Sequence, residues 1–507
     1  MSVKLAASPS QSGSKTLPPL PNAEKYSRIV TRFAPNPDFV LHLGSIRAII
    51  LSHDYAHMYK GRFLLRFDDT DPRLKKSALE YYDMIREDVR WLECQWDAEY
   101  IASDRIPIYY EHAETVLKSG DAYICTCTPE DFRLNINAGR ACPDRSKSPD
   151  QNLPDWAKML NGGFGEGDAV LRIKTNVAHP NPAVRDWPAL RIIDPVKYPH
   201  PRVGSRYRVW PLFNFAAAVD DHLLEVSHII RGKEHLTNAL RTEFLYKALG
   251  WNIQDYVHYG RLKTSDIKLS KSSMLKEIEE GLVAGYSDPR LPTLAALRRR
   301  GYVPGALRKI VYEMGPRPVD ATLSWDNVNA TNRKEIDKIA HRYSFVANPV
   351  PVQVSGIDRT FEAQLPLHPE RPELGNRKFT VVPKNNVARL LIASQDVDLL
   401  RKSRVVRLME LFNVEIKSAE NNLIVAAFHS QDYMKAREVK APLVNWLPDE
   451  NNMIGEVVMP DASRTMGRVE TNIRHEKVGS IIQMVRFGFG RIDSIEDQRV
   501  TVYYAHR

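Results

Sequence analysis

The chain has four cysteines in 507 residues. That is too few for a disulfide scaffold and leads us to expect a reducing, cytoplasmic setting. It has no run of about 18 apolar residues, so no membrane span is expected. It has no internal repeat, and no long low-complexity block beyond its opening. The opening is rich in Ser, Pro, Gly and Lys and lacks the apolar core of a signal peptide. Residues 1–26 are therefore expected to form a disordered tail. An acidic excess is also missing: 71 Lys and Arg against 62 Asp and Glu leave a formal charge of +9. A basic balance suits a polyanionic partner through counterion release, and it suits a merely solvated surface equally well.

What is present is ordinary globular material, 43% hydrophobic and 26% charged, enough for three or four domains at about 150 residues each. "SRIVTRFAP" reads as a buried strand ended by Pro35 and Pro37. "SIRAIILSHDYAHMYK" carries Ile46, Ile49, Ile50, His53 and Ala56 at helical spacing, with Gly61 as the stop. "RFLLRF" is a second strand. "SALEYYDMIREDVRWL" sets Leu79, Tyr82, Ile85, Val89 and Leu92 on one helical face. Strand, helix, strand, helix indicates a βαβ unit with a parallel sheet. Residues 118–205, with their Pro, Gly and Cys, read as an insertion into that rhythm. Residues 285–345 are helix-rich and basic, and from about residue 346 β-branched and aromatic runs separated by turns predict one or two β-barrels.

Two short stretches carry chemistry. His42-Leu43-Gly44-Ser45 sits at a strand-to-helix junction, where unpaired backbone N–H groups and the positive helix end favour an anion. Gly44 lets a planar group approach the backbone, His42 can donate to a phosphate oxygen, and Ser45 can donate likewise or cap the helix. Taken alone this is also the commonplace start of a helix. Far downstream, "KLSKS" places Lys268 and Lys271 among hydroxyl residues, a loop able to close on a triphosphate.

The pair resembles the His-x-Gly-His and Lys-Met-Ser-Lys-Ser motifs of class I aminoacyl-tRNA synthetases. "RFAPNPDFVLHLG", "LLRFDDTDP", "VDDHLLEVSHIIRGKEHL", "DPRLPTLAALRRRG", "NRKEIDKIAHRYSFV" and "VGSIIQMVRFGFGRID" are similar to glutamyl-tRNA synthetases of the archaeal and eukaryotic type. The likeness spans roughly residues 27–507. It implies an α/β Rossmann-type catalytic domain in two halves, 27–117 and 206–262. These would be split by an inserted acceptor-end-binding domain at 118–205 and followed by a helical stem-contact domain at 263–345. C-terminal all-β barrels at 346–507 would bind the anticodon.

The resemblance also implies a set of site residues. His42, Gly44, Ser45 and Lys271 would bind ATP, with Lys271 stabilising the leaving pyrophosphate and Lys268 helping. Gly260, Arg261 and Leu262 match the strip that holds the adenine through its backbone. Arg32 and Arg231 match the arginines that meet the glutamate carboxylates, Asp68 the acid that holds the ammonium, and Phe213 the aromatic of the pocket. The position of Arg231 is a cysteine in glutaminyl enzymes, so a guanidinium there favours glutamate. Arg298, Arg299, Trp446 and Arg486 are candidate contacts to tRNA, although such aromatics also fill barrel cores. ATP, Mg²⁺, glutamate and glutamate tRNA are the implied ligands of a monomeric enzyme that activates glutamate only with tRNA bound.

Two departures keep alternatives open. Ser45 stands where the motif ends in His, and Phe213 where Tyr is common, so a tRNA-binding paralogue without catalysis is the rival from another class. Glutaminyl-tRNA synthetase is the rival within the class. Cys125, Cys127, Cys142 and Asp144 are similar to a zinc knot of some relatives, but a carboxylate is an unusual fourth ligand, and metal-free cysteines are the expectation.

Overall fold

The computed structural model describes residues 16–75, 77–264 and 269–507. They fall into two compact units, the chain up to Lys271 with Arg308–Leu323, and Ser272–Leu307 with Ser324–Arg507. Residues 263–345, expected as one helical segment, therefore contribute to both.

The first unit is built on β1 (Val30–Phe33), α1 (Ile46–Met58), β2 (Arg62–Phe67), α2 (Leu79–Trp91) and β3 (Ala98–Ile101), and the three strands pair in parallel in the order β1-β2-β3. Ile46, Ile49 and Ile50 are fully buried, each worth about 1.5–3 kcal/mol relative to exposure. The helix also buries two charges. The Arg47 guanidinium donates to the carbonyls of Gly260 (2.7 Å), Gly315 (2.6 Å) and Arg317 (3.1 Å), while Asp54 accepts from Tyr312 and Arg308. In α2 the buried face is Tyr81, Tyr82, Ile85 and Val89. Leu79, expected on that face, is 57% exposed because it opens the helix, and Tyr81 takes its place in the core.

After α3 (Ile106–Lys118), four strands form an antiparallel sheet in the order β4 (Ala122–Cys125), β5 (Val170–Ile173), β6 (Pro188–Ile192), β7 (Val209–Pro211), with α4 (Pro129–Asn137) and α5 (Pro149–Asn161) between the first two. Trp156, Trp187, Leu190 and Trp210 fill its core. This sheet extends to Pro211, and β7 runs on into α6 (Phe213–Leu223). The chain then forms β8 (His228–Gly232), α7 (Leu236–Leu249) and β9 (Asp255–Tyr259), with β8 and β9 paired in parallel. Ser227 ties β8 to β1: its N–H donates to Val30 C=O (2.9 Å) and its hydroxyl accepts from Val30 N–H (2.8 Å). From that junction the order runs to β2 and β3 one way and to β9 the other. Such a switch point leaves a crevice at the strand ends, where ligands of doubly wound sheets bind.

Part of the expected tail is packed. Leu17 and Leu20 are buried, Asn22 and Tyr26 donate to Asp255 (2.6 and 2.8 Å), and Pro21 C=O bonds His228 Nε2 (2.8 Å). A segment that satisfies its polar groups and buries two leucines can offset its ordering entropy, so the ordered chain begins before residue 27.

The second unit contains helices Leu294–Arg300 and Trp325–Ile336 and, among the described residues, two seven-stranded mixed sheets. One is centred on Asn452–Val458, Gly488–Ile495 and Arg499–His506, the other on Pro349–Ser355, Asn413–Ala419 and Ile424–Ser430. Each encloses its own apolar core, Phe345, Met453, Val469 and Ile492 in the first, Val352, Leu390, Val414 and Trp446 in the second. The all-β expectation for this region holds at that level.

Candidate active site

The strand ends at the switch point carry the predicted residues. At the end of β1, Arg32 donates to both oxygens of Asp221 on α6 (Nε to Oδ1 and Nη2 to Oδ2, both 3.1 Å). Arg66 on β2 reaches Asp221 (2.8 Å) and Asp68 (2.7 Å), and Arg105 pairs with Asp220 (2.7 Å). Three guanidiniums and three carboxylates thus interlock with little solvent. Burial would raise the Asp221 carboxyl, but Arg32 and Arg66 outweigh it and hold the group below the ordinary carboxylate range. Asp68 goes the other way: burial dominates and raises it despite Arg66. The sequence pointed to Arg32 and Asp68 but not to Asp221 or Arg66, whose partnership depends on the C-terminal part of α6 reaching the side chains of both strands.

Arg231, at the end of β8, is different. It is 8% exposed, and its Nε and Nη2 find no hydrogen-bond partner among the described residues. Burial first, then the nearby positive charge of Arg32, bring its pKa down to about 10. The Tyr256 ring lies 5.0 Å beneath it. An unpaired buried guanidinium is costly, and the Nε–Nη2 edge matches the two oxygens of a carboxylate.

Beside these strands opens a cleft of about 400 Å³, lined by Asp68, Thr70, Lys75, Phe213, His235 and Asn238 among others. Phe213 enters it because β7 ends one residue before α6, and its ring stands 6.0 Å from that of His235. The His235 Nδ1 is bonded to the Asn238 amide (2.9 Å), and burial, then Arg231, lower its pKa.

The first motif folds back on itself. His42 Nδ1 accepts the Gly44 N–H (3.0 Å) and so caps the helix start. Ser45 makes no side-chain cap, which corrects that part of the sequence reading. With Nδ1 accepting, the proton sits on Nε2, which is left to donate. Burial lowers the pKa of the ring, favouring the neutral form. Gly44 is required by the imidazole itself: a Cβ there would stand 2.7 Å from His42 Cε1. The same Cβ would lie 3.9 Å from Leu269 Cδ1, so the second motif lies against the first. Lys271 pairs with the carboxylate of Asp38, four residues before His42. Lys268 lies outside the described residues.

The stretch expected to hold the adenine bonds to other parts of the protein. Gly260 N–H donates to Arg317 C=O (2.9 Å) and its carbonyl accepts Arg47. Arg261 N–H goes to Asp320 (3.0 Å), and Leu262 begins a strand, Leu262–Thr264, that pairs with Ala321–Leu323. A Gly260 Cβ would collide with the Val319 carbonyl at 2.1 Å. Both backbone groups of Gly260 and the N–H of Arg261 thus bond within the protein.

One of the tRNA candidates, Trp446, is corrected. Trp446 is 3% exposed and its indole N–H donates to Met409 C=O (2.9 Å), so it belongs to the core. Arg299 is held by Asp493 (2.9 and 2.7 Å) over the Tyr503 ring (4.0 Å). Arg486 pairs with Asp396 (3.0 Å) and lines a hollow of about 460 Å³ with Arg333 and Arg507. Arg298 is half-buried on the same helix as Arg299.

The four candidate metal ligands do come together. Donor atoms of Cys125, Cys127, Cys142 and Asp144 all lie within 4.8 Å of one another, with Sγ separations of 3.5 Å (Cys125–Cys142) and 2.9 Å (Cys127–Cys142). Burial raises the Cys142 and Cys127 thiols. Asp144 also accepts from Thr126 N–H (2.7 Å) and pairs with Lys147 (2.9 Å). Number and type of donor suit a thiophilic ion, although the Cys127–Cys142 pair stands closer than the edge of a tetrahedral zinc–thiolate site.

No helix among the described residues is long and apolar enough to cross a membrane. The model "tRNA synthetases class I (E and Q), catalytic domain" matches residues 28–338, and the corresponding anti-codon binding domain matches residues 340–430. The glutamate--tRNA ligase of Pyrococcus furiosus is 49% identical over 496 residues, covering 97% of this chain and 85% of that protein. That of Hyperthermus butylicus is 46% identical over 505 residues, covering 97% and 86%. A solved glutamate tRNA ligase from Elizabethkingia meningosepticum is 21% identical over 62% of this chain and 70% of that one, with a TM-score of 0.46.

Proposed function

The chain belongs to the class I tRNA synthetases of the glutamate and glutamine type, and from that membership we propose how its residues work. It is a glutamate--tRNA ligase: ATP and glutamate give glutamyl-adenylate and pyrophosphate, and the glutamyl group passes to the 3′ end of glutamate tRNA. The observation that carries glutamate over glutamine is the open Nε–Nη2 edge of Arg231. A carboxylate satisfies it with two charge-assisted bonds, whereas an amide offers one acceptor and turns its NH₂ toward donors.

Both steps build charge on oxygen, so positioning and electrostatics supply the rate. His42 Nε2–H donates to a phosphate oxygen. Lys271, freed from Asp38 by the arriving triphosphate, stabilises the pyrophosphate, and Lys268 assists. Arg32, held by Asp221, orients the substrate, and Asp68 takes its ammonium. Mg²⁺ fits a site whose protein groups are mainly cations and N–H donors if it arrives on the phosphates, where it neutralises their charge. Zinc at Cys125, Cys127, Cys142 and Asp144 would be structural, joining the end of β4 to the 142–144 turn. The inserted sheet receives the acceptor end, the basic helices the stem, and the β sheets the anticodon. The enzyme works as a soluble monomer in the cytoplasm.

The test is glutamate-dependent ATP–pyrophosphate exchange, with and without tRNA, for wild type and Lys271→Ala. Exchange that needs tRNA and falls at least about a hundredfold in the variant supports the reading. Salt-sensitive tRNA binding with no exchange under any condition would instead select the non-catalytic paralogue suggested by Ser45 and Phe213.

A further inference from the structure

Nε and Nη2 of Arg231 are not the only buried polar atoms here without a hydrogen-bond partner among the described residues. The parallel pairing sets Arg231 opposite His258 and Ile229 opposite Tyr256, so β9 presents Tyr256 and His258, two residues apart, on the face that Arg231 occupies. Tyr256 Oη and His258 Nε2 are buried and, like Nε and Nη2 of Arg231, find no hydrogen-bond partner among the described residues. The Thr242 hydroxyl donates to Asn238 C=O (3.0 Å) and stands near enough to Tyr256 to lower its pKa against the rise from burial, which leaves the Tyr256 proton to donate elsewhere. The Tyr256 and His258 rings stack at 5.6 Å with planes 10° apart. Four unmet polar atoms on two adjacent strands are expensive unless a ligand completes them, since buried polar groups are almost always paired.

We propose that Tyr256 and His258 are specificity-determining residues that, with Arg231, enclose the side-chain carboxylate of glutamate. The inference rests on the glutamate reading above. The Arg231 edge gives two N–H bonds, one to each oxygen. Each oxygen keeps a further lone pair, and these take the Tyr256 hydroxyl and the N–H of His258 on Nε2. All four protein groups then act as donors. An amide could satisfy them only at its oxygen and would leave its NH₂ against donors, so the pocket discriminates by repulsion as well as attraction. His258 contributes without adding charge: burial first, then Arg231 and His235, bring its pKa down to about 4, with Glu234 the opposing neighbour.

The test keeps the packing and removes the polar atoms. Tyr256→Phe retains the ring beneath Arg231, and His258→Phe retains the stack. Exchange is measured with tRNA at varied glutamate, varied glutamine and varied ATP. Each variant should raise KM for glutamate about ten- to hundredfold, narrow the preference for glutamate over glutamine by a similar factor, and leave kcat, KM for ATP and the melting temperature close to wild type. A KM for glutamate within about twofold of wild type, or glutamate and ATP constants that rise together, would overturn the assignment while the glutamate reading stands. Wild type that exchanges with glutamine as well as with glutamate would overturn both.

Discussion

Asp221→Asn tests the charge network that holds Arg32. In the native protein Asp221 receives Arg32 through both oxygens at 3.1 Å and Arg66 at 2.8 Å, with the side chain nearly inaccessible. Asn keeps the shape and one acceptor, but it turns an NH₂ toward Arg32 Nη2 and leaves three buried guanidiniums facing two carboxylates. Removing one partner of a buried ion pair costs about 3–5 kcal/mol, and the acceptor that Asn retains places this change at the low end, about 3 kcal/mol. That corresponds to a fall of about 6–12 °C in the melting transition of the first unit, which ATP would identify by raising it. The KM for glutamate should rise as well, because Arg32 loses the partner that orients it. The acid limb offers a second readout. The Asp221 carboxyl is held below its ordinary value in the folded state, so its contribution is present above about pH 4 and is lost as pH falls through the lowered value. The variant should lack that limb. A variant that melts within about 1 °C of wild type with an unchanged KM would refute the reasoning, since Arg32 would then need no counter-charge.

Gly44→Ala pushes a Cβ against the His42 ring and breaks the cap from Gly44 N–H. Stability should fall by about 1 kcal/mol, while kcat/KM for ATP falls at least about tenfold; an active variant with normal kinetics would remove His42 from the phosphate site. Trp446→Ala should destabilise the second unit by about 3–5 kcal/mol in a denaturant titration. A stable variant with impaired tRNA binding would return Trp446 to the interface. Protein purified without chelator should carry about one zinc per chain, and stripping it should lower the melting temperature of the inserted sheet. Less than about a tenth of an equivalent would rule the site out.

The local and periodic features were legible in the sequence. The βαβ opening and the β-rich end follow from apolar spacing and from Pro and Gly breaks, and the family from motif likeness, all properties of neighbouring residues. Leu79 shows the limit of spacing: a periodic leucine is exposed because it stands at a helix end. Tertiary structure decided which charges meet. That Arg32 is hydrogen-bonded to Asp221, while Nε and Nη2 of Arg231 find no hydrogen-bond partner among the described residues, depends on where α6 and β9 lie against strands far away in sequence. It also moved Trp446 from a surface role to a core, bonded the backbone of Gly260 and Arg261 to distant parts of the chain, and brought Cys125, Cys127, Cys142 and Asp144 within 4.8 Å of one another. A sequence fixes which groups are available. Only packing determines whether a given group is satisfied by the protein or left open for a substrate, because desolvation and partner distance are properties of the assembled fold.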